Sequence, residues 1–334
     1  MKVLHILFFA LLVSHAQMTA AQIIPTIQWQ KCLGGTDDDR ATAVQQTTDE
    51  GFIVAGHTMS SDGDVSVNYG NYDYWIVKLD TAGNITWQKS FGGTGNEEAQ
   101  SIQQTSDQGF IIAGYSDSDN GDVTGNHGSN DYWIVKLDGS GNLQWQKSLG
   151  GTGDDLAKYI RQTSDGGYII AGNATSQDGD VTGNHGEDDV WIVKLDENGV
   201  IAWQQSYGGN DSDYANFIEV TSDGGFIVCG ASSSINGDVT QNNGQLDYWI
   251  LKLSSTGILE WQKSYGGSES EEAFAVQQTS DDGFIIGGRT YSNDIDVSVN
   301  HGNLDCWIVK IDQTGNLQWQ KSFGGSGSDH VFSI

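Results

Sequence analysis

Hydrophobic positions recur along the chain in short runs that are separated by polar turns. Between residues 92 and 149, Phe110 to Gly114 (FIIAG) and Tyr132 to Leu137 (YWIVKL) are almost entirely apolar, whereas Leu143 to Ser148 (LQWQKS) alternates apolar and polar residues. Runs of this length, rich in β-branched and aromatic residues and bounded by Asp-Gly-type turns, are typical of β-strands. We predict three strands here, which we call B, C and D.

The preceding segment, Ala99 to Thr105 (AQSIQQT), fits two structures. Ala99 and Ile102 are three residues apart, a spacing that suits a helix. The segment is short for a helix, however, and it leads directly into the turn Ser106 to Gly109, whose counterparts read Asp-Gly-Gly. We therefore predict a strand, A, which gives four antiparallel strands in each unit.

The tryptophans show that this unit is a repeat of 58 residues. All eleven fall into two series with that spacing: Trp29, Trp87, Trp145, Trp203, Trp261 and Trp319, and Trp75, Trp133, Trp191, Trp249 and Trp307. A fixed period without insertions indicates one repeat array rather than separate domains. We predict a single domain over residues 22–334, with full repeats at about 34–91, 92–149, 150–207, 208–265 and 266–323 and a partial repeat at 324–334.

The repeat pattern GGxxxDxAxxIxxTxDGGFIIAGxTxSxDGDVxGNHGxxDYWIVKLDxxGNxxWQKSxGG resembles the bacterial seven-bladed β-propeller repeat family. It looks closer still to repeat proteins that Bacteroidetes export by type IX secretion. The resemblance covers nearly all of residues 27–334 and implies an all-β fold, a β-propeller of four-stranded blades. It implies no particular activity.

The two ends of the repeat array carry single strand-like segments. Ile27 to Lys31 matches segment D, and His330 to Ile334 matches the start of segment A. We expect the chain to be a fragment of a larger propeller; the alternative is a five-bladed propeller with two spare end strands.

The N-terminus predicts export. Met1-Lys2 is followed by an apolar run from Val3 to Val13 and by small residues before Ala16 and Ala21, as in a secretory signal peptide over residues 1–21. The apolar run is short for a membrane span, and no cysteine lies near the cleavage position. We expect a secreted or cell-surface protein without a membrane span, and a monomer.

The net charge of the chain excludes two classes of binding partner. The chain has 44 acidic and 15 basic residues and a formal net charge of −29. Nucleic acids and anionic membranes both require clustered lysine and arginine, so we exclude both as partners. An extracellular glycan or protein is the partner that we expect.

Strand alternation assigns the loops to two faces. The A–B and C–D turns are tight and share one face, whereas the long B–C and D–A loops share the other, which we predict to be the binding face. Candidate ligand-binding residues are those at which the repeats differ: His57, Tyr115, Asn173 and Arg289, directly after strand B, and His127, His185 and His301 in the B–C loop. Neutral drift at exposed positions is the alternative. Three histidines on different blades would lie too far apart for one metal ion unless they line the propeller axis.

Each B–C loop contains an aspartate of a kind that binds calcium in other proteins. Asp64, Asp122, Asp180, Asp238 and Asp296 are hard oxygen ligands of the kind that Ca²⁺ prefers. Their surroundings miss the EF-hand spacing, and aspartate also caps turns. We predict structural turns and no required cofactor, with one Ca²⁺ per blade as the alternative.

No local catalytic motif is present: the chain lacks Gly-x-Ser-x-Gly, His-Glu-x-x-His, a phosphate loop and Cys-x-x-Cys. We predict a non-catalytic binding module for an extracellular glycan or protein. The alternatives are a polysaccharide-active enzyme with its site on the B–C and D–A loop face, and a structural spacer or envelope component.

Overall fold

The computed structural model of the protein describes residues 26–334. The chain divides into two units, Met1–Lys31 and Cys32–Ile334, and every strand belongs to the second. The predicted signal peptide lies outside the described residues. Residues 26–31 form no strand, so the prediction of a D strand at Ile27 to Lys31 is wrong.

Twenty strands follow the 58-residue period. The first repeat contains β1 (Asp39–Gln46), β2 (Phe52–Thr58), β3 (Asp73–Leu79) and β4 (Ile85–Phe91). The second contains β5 (Glu97–Gln104), β6 (Phe110–Ser116), β7 (Asp131–Leu137) and β8 (Leu143–Leu149). The third contains β9 (Asp155–Gln162), β10 (Tyr168–Ala174), β11 (Asp189–Leu195) and β12 (Ile201–Tyr207).

The last two repeats continue the same order. The fourth contains β13 (Asp213–Val220), β14 (Phe226–Ser232), β15 (Asp247–Leu253) and β16 (Leu259–Tyr265). The fifth contains β17 (Glu271–Gln278), β18 (Phe284–Thr290), β19 (Asp305–Ile311) and β20 (Leu317–Phe323). Each repeat is one four-stranded antiparallel sheet with its strands in chain order. The predicted all-β fold and its four strands per repeat are confirmed, and the sheets are blades of a β-propeller.

Consecutive blades pack face to face through apolar side chains. At the seam between the first two blades, Tyr74 and Ile76 of the first lie against Phe110 and Trp133 of the second, all of them buried. The Tyr74 hydroxyl donates a hydrogen bond to the Trp133 carbonyl oxygen at 2.9 Å. The same bond recurs from Tyr132 to Trp191 and from Tyr248 to Trp307. Each of the four seams therefore joins two sheets by packing, and three of them add this hydrogen bond; at the seam between the third and fourth blades, Val190 takes the place of the tyrosine.

The outer faces of the first and fifth blades have no blade packed on them among the described residues. Phe323 in β20 is 55% exposed, whereas its counterpart Phe91 in β4 is 8% exposed. On the first blade, Val44 in β1 is 68% exposed, against 5% for its counterpart Ile102. The five blades therefore form an open arc, which is consistent with part of a larger propeller ring.

The C-terminal residues lie where the first strand of a next blade would lie. A Cβ atom on Gly287 in β18 would stand 2.6 Å from Ile334 and 3.5 Å from Val331, so both side chains cover this part of the fifth blade. Residues 329–334 form no strand, which corrects the prediction of an A strand there. Among residues 26–334, no helix has the length and apolar character needed to cross a membrane.

Each seam also contains two buried carboxyl groups that face each other across a glycine. A Cβ atom on Gly150 would lie 2.6 Å from both Asp131 Oδ1 and Asp155 Oδ2, so no larger residue fits there. Among residues 26–334, Oδ1 of Asp131 has no hydrogen-bond partner, and the same is true of its counterparts Asp73, Asp189, Asp247 and Asp305. Burial raises the pKa of Asp73 and of Asp247 to about 7, and the neighbouring carboxylates Glu97 and Glu271 contribute in the same direction.

These carboxyl groups predict that the fold is most stable in mild acid. Because the folded protein holds the Asp73 and Asp247 protons more tightly than the unfolded chain, their contribution to stability is lost as the pH rises from about 4 to about 7. Asp49 and its counterparts Asp107, Asp165, Asp223 and Asp281 have pKa values lowered to about 2, so their contribution is lost as the pH falls below about 4. We expect a melting temperature several degrees higher at pH 5 than at pH 8, measured by circular dichroism at constant ionic strength.

The double variant Asp73→Asn, Asp247→Asn should reduce this difference, because the amide groups do not titrate. Asp119→Asn, at an exposed loop position, is the control and should leave the difference unchanged. A melting temperature that rises from pH 5 to pH 8 would contradict the assignment of protonated carboxyl groups to the seams.

Candidate functional site

The first strand of every blade contains a β-bulge at the same step. In β9, Ala157 pairs with Gly172 and Tyr159 pairs with Ala171, so Lys158 between them has no partner in the ladder. The register shifts at the equivalent step in β1, β5, β13 and β17. A bulge turns one side chain away from the regular alternation of a strand. It also explains the helix-like spacing in the sequence, since Ala99 and Ile102 on either side of a bulge are both buried.

The bulge residues line a central channel of about 490 Å³. Since residues from all five first strands surround this one cavity, the first strands are the innermost strands of the propeller. The bulge residues differ in every blade: Thr42, Gln100, Lys158, Asn216 and Phe274. Phe332, which is 58 residues after Phe274, also lines the channel. The channel wall is therefore asymmetric, although the blades that build it are nearly identical.

Four of the predicted binding residues lie in strands rather than loops, and none of them is among the residues that line this channel. His57, Tyr115, Asn173 and Arg289 are the second-to-last residues of β2, β6, β10 and β18, so the prediction that they follow strand B directly is wrong by two residues. They pair across the sheet with Arg40, Glu98, Leu156 and Glu272 of the first strands. The second strand is longer than its apolar run because residues at its end pair on both sides.

Polar contacts fix three of these four side chains. The Tyr115 hydroxyl donates to Glu98 Oε2 at 2.7 Å, the Arg289 guanidinium donates to Glu272 Oε2 at 2.5 Å, and Asn173 Nδ2 donates to Asp188 Oδ1 at 2.6 Å. His57 instead packs edge-on against the ring of Tyr72, with 4.9 Å between ring centroids. Burial lowers the His57 pKa and raises the Tyr115 pKa, so both side chains are uncharged at neutral pH.

The three loop histidines do not come together. His127, His185 and His301 each place Nδ1 2.7 to 2.8 Å from a buried aspartate of their own blade: Asp131, Asp189 and Asp305. The backbone N–H of each histidine donates to the same carboxylate. These residues therefore hold the loop against the start of the third strand. In the described part of the chain, no three His, Cys, Asp or Glu side chains are grouped so that they could hold a metal ion.

The five loop aspartates of the calcium hypothesis contact backbone rather than one another. The carboxylate of Asp64 accepts the N–H of Gly34 at 3.1 Å, and that of Asp238 accepts the N–H of Gly208 at 3.2 Å. Equivalent bonds join Asp122 to Gly92, Asp180 to Gly150 and Asp296 to Gly266. This is the geometry of a structural turn. Calcium binding by these loops stays a prediction.

The bulge residues are the part of the site that the sequence prediction missed. Their signal is visible in hindsight, because position 42 and its counterparts differ in all five copies while the residue before them is always alanine. Variation beside a constant small residue marks a position at which the seams tolerate different side chains. The prediction concentrated on the loops and left the interior of segment A aside.

Comparison with known proteins adds little beyond the fold. Models of known protein families give no match. The regulatory protein FlaEY of Caulobacter vibrioides is 27% identical over 212 residues, which is 58% of this chain and 22% of that protein. This chain thus spans less than a quarter of that relative. The resemblance to secreted Bacteroidetes repeat proteins stays a prediction.

Solved structures with similar backbones are diverse. A Bacteroides caccae protein of unknown function has a TM-score of 0.49 and 12% identity, with 87% of this chain and 85% of that chain covered. The WD40 domain of Neurospora crassa Pan2 has a TM-score of 0.46 and 11% identity, with 88% and 81% covered. An ancestral GH74 enzyme has a TM-score of 0.45 and 13% identity, with 87% and 33% covered. The propeller assignment rests on the sheets themselves.

The pKa of Lys158 can be measured and reports on the burial of its amine in the channel. Burial lowers its pKa below the ordinary lysine value of 10.5, although the carboxylates of Glu98, Asp188 and Glu272 act in the opposite direction. We expect the ¹³C-dimethyl resonance of Lys158 to titrate at lower pH than that of an ordinary lysine. The variant Lys158→Gln assigns the resonance by its disappearance. Titration at or above pH 10.5 would show that the amine is fully hydrated.

Proposed function

We propose that this protein is a non-catalytic binding module that holds an extracellular glycan in its central channel. The observation that carries the proposal is the asymmetry of the channel wall, where five nearly identical blades present five different side chains at one bulge. The residues that are constant in the repeat pack in the seams between blades or form the turns. Of the five varied residues, Thr42 and Asn216 donate to a carbonyl oxygen of the next blade. No such bond fixes Gln100, Lys158 or Phe274 among the described residues, which supports a role in recognition.

The shape of the site favours a glycan over a folded protein. Ligand cavities that enclose a small molecule or a chain segment have volumes of roughly 300 to 1,000 Å³, and the channel has about 490 Å³. A stable protein partner instead needs about 800 Å² of contact on each side. A concave channel of this size accommodates a few sugar rings better than a protein surface.

The chemistry of the wall also suits sugars. Phe274, Phe217 and Tyr159 supply flat apolar surfaces, and Gln100 and Asn216 supply amide groups. Sugar rings have an apolar face that packs on an aromatic ring, and their hydroxyl groups pair with amides. Asn216 is already oriented, since its Nδ2 donates to Glu272 Oε1 at 3.1 Å and to the Ala273 carbonyl oxygen at 2.9 Å.

Obstruction of the channel tests the proposal. Gln100→Trp places a large side chain in the channel and should abolish retention on the polysaccharide that the unaltered protein binds. Phe274→Ala removes an aromatic surface and should weaken binding about tenfold, or about 1.4 kcal/mol. The measurement is retention of the full chain on a polysaccharide panel, followed by calorimetric titration with the oligosaccharide that is retained.

Ile258→Trp is the matched control, because Ile258 is exposed at a turn between β15 and β16, outside the residues that line the channel. It should bind as the unaltered protein does, and the melting temperature of all three variants verifies their folding. Unchanged binding by both channel variants would contradict the proposal. Release of new chain ends from the polysaccharide would favour the enzyme alternative. The same titrations with Ca²⁺ and with a chelator test the calcium hypothesis.

A further inference from the structure

The channel contains a lysine that forms no direct ion pair with a carboxylate of the described residues. Lys158 is the bulge residue of β9 and lines the cavity. Within the described part of the chain, it has no ion pair or hydrogen bond, and its Nζ lies 5.5 Å from the centre of the Tyr115 ring. Burial lowers its pKa, so the charged amine has lost part of its hydration. A desolvated cation without a partner is costly unless something binds to it.

The carboxylates near Lys158 are already engaged by other donors. Its charge interacts with three of them: Glu98, Asp188 and Glu272. Tyr115, Asn173 and Arg289 donate to these carboxylates at 2.7, 2.6 and 2.5 Å respectively. Three of the side chains that the sequence suggested as direct ligand contacts thus donate to these acids. In the described part of the chain none of the three acids forms an ion pair with Lys158, which leaves its amine available to an incoming anion.

Two aromatic stacks line the same cavity as Lys158. In the first, the rings of Tyr159 and Phe217 lie 4.0 Å apart, and the Arg161 guanidinium lies 4.2 Å from the Tyr159 ring. In the second, Phe274 and Phe332 lie 5.0 Å apart, and the Arg289 guanidinium lies 5.2 Å from the Phe274 ring. Both stacks offer a flat surface beside a positive charge.

We propose that the channel binds a uronic acid unit of an acidic polysaccharide, with the sugar carboxylate on Lys158 Nζ and the sugar ring against one of the aromatic stacks. This inference rests on the proposed function and specifies its ligand. A single carboxylate matches one amine. A phosphate or sulfate group does not fit as well, because a second negative charge or a larger anion would lie close to Glu98, Asp188 and Glu272. The Gln100 and Asn216 amides are then positioned for the sugar hydroxyls.

The test compares each uronate with its neutral methyl ester, which keeps the sugar ring and removes the charge. The probes are oligogalacturonate, oligomannuronate and oligoglucuronate, titrated calorimetrically into the full chain at low ionic strength. We expect at least one acid form to bind about tenfold more tightly than its ester. Lys158→Gln should lose that tenfold advantage and leave the affinity for the ester unchanged, whereas Lys158→Arg should retain part of it.

Lys147→Gln removes a lysine of the outer strand β8 and is the charge-matched control, which should bind as the unaltered protein does. Equal affinity for acid and ester, with no effect of Lys158→Gln, would overturn the uronate inference and leave a neutral glycan in the channel. Tighter binding of oligoglutamate that depends on Lys158 would overturn the sugar class. Absence of binding to every neutral and acidic glycan would overturn the proposed function as well.

Discussion

Each blade of this protein has apolar side chains on both faces, and only another blade can cover them. In β6, Phe110 and Ile112 point into the seam with the first blade, while Ile111 and Ala113 point into the seam with the third. This is why the second and third strands of the repeat are continuously apolar rather than alternating. A single repeat therefore cannot bury its own core, and stability grows with each added neighbour. The seams, not the individual sheets, hold the molecule together.

The seams explain which residues of the repeat are constant. In the second to fifth repeats, the first glycine of the opening pair leaves room for two facing carboxyl groups, and a glycine in the turn between the third and fourth strands accommodates a tryptophan of the preceding blade. At Gly141, a Cβ atom would lie 2.9 Å from the Trp87 ring. A substitution at such a position disturbs one seam directly and leaves the others intact. Identical seams thus require near-identical repeats, and positions outside the seams can vary.

The sequence predicted the architecture well because its signals are local and repeated. Turn residues and apolar runs located the four strands, and the tryptophan spacing located the blades. The bulge could not be predicted, because an inserted residue produces the same three-residue spacing as a helix, as at Ala99 and Ile102. The prediction of strands at the two ends was also wrong: Ile27 to Lys31 matches strand D in sequence but forms no strand. The contacts of the loop histidines could not be predicted from the sequence either: each holds the buried aspartate four residues further along its own blade.

The distribution of positive charge connects the fold to the proposed site. In a chain with 15 basic residues, five lysines occupy one repeat position, where each pairs with an aspartate of the first turn: Lys78, Lys136, Lys194, Lys252 and Lys310. All three arginines, Arg40, Arg161 and Arg289, lie instead on the first and second strands, and Lys158 lies at a bulge. None of these four follows the repeat. Each arginine has an acidic partner, Arg40 with Asp38, Arg161 with Glu219 of the next blade and Arg289 with Glu272, whereas Lys158 forms no ion pair in the described part of the chain. A ligand carboxylate bound in the channel would supply the partner that Lys158 lacks there.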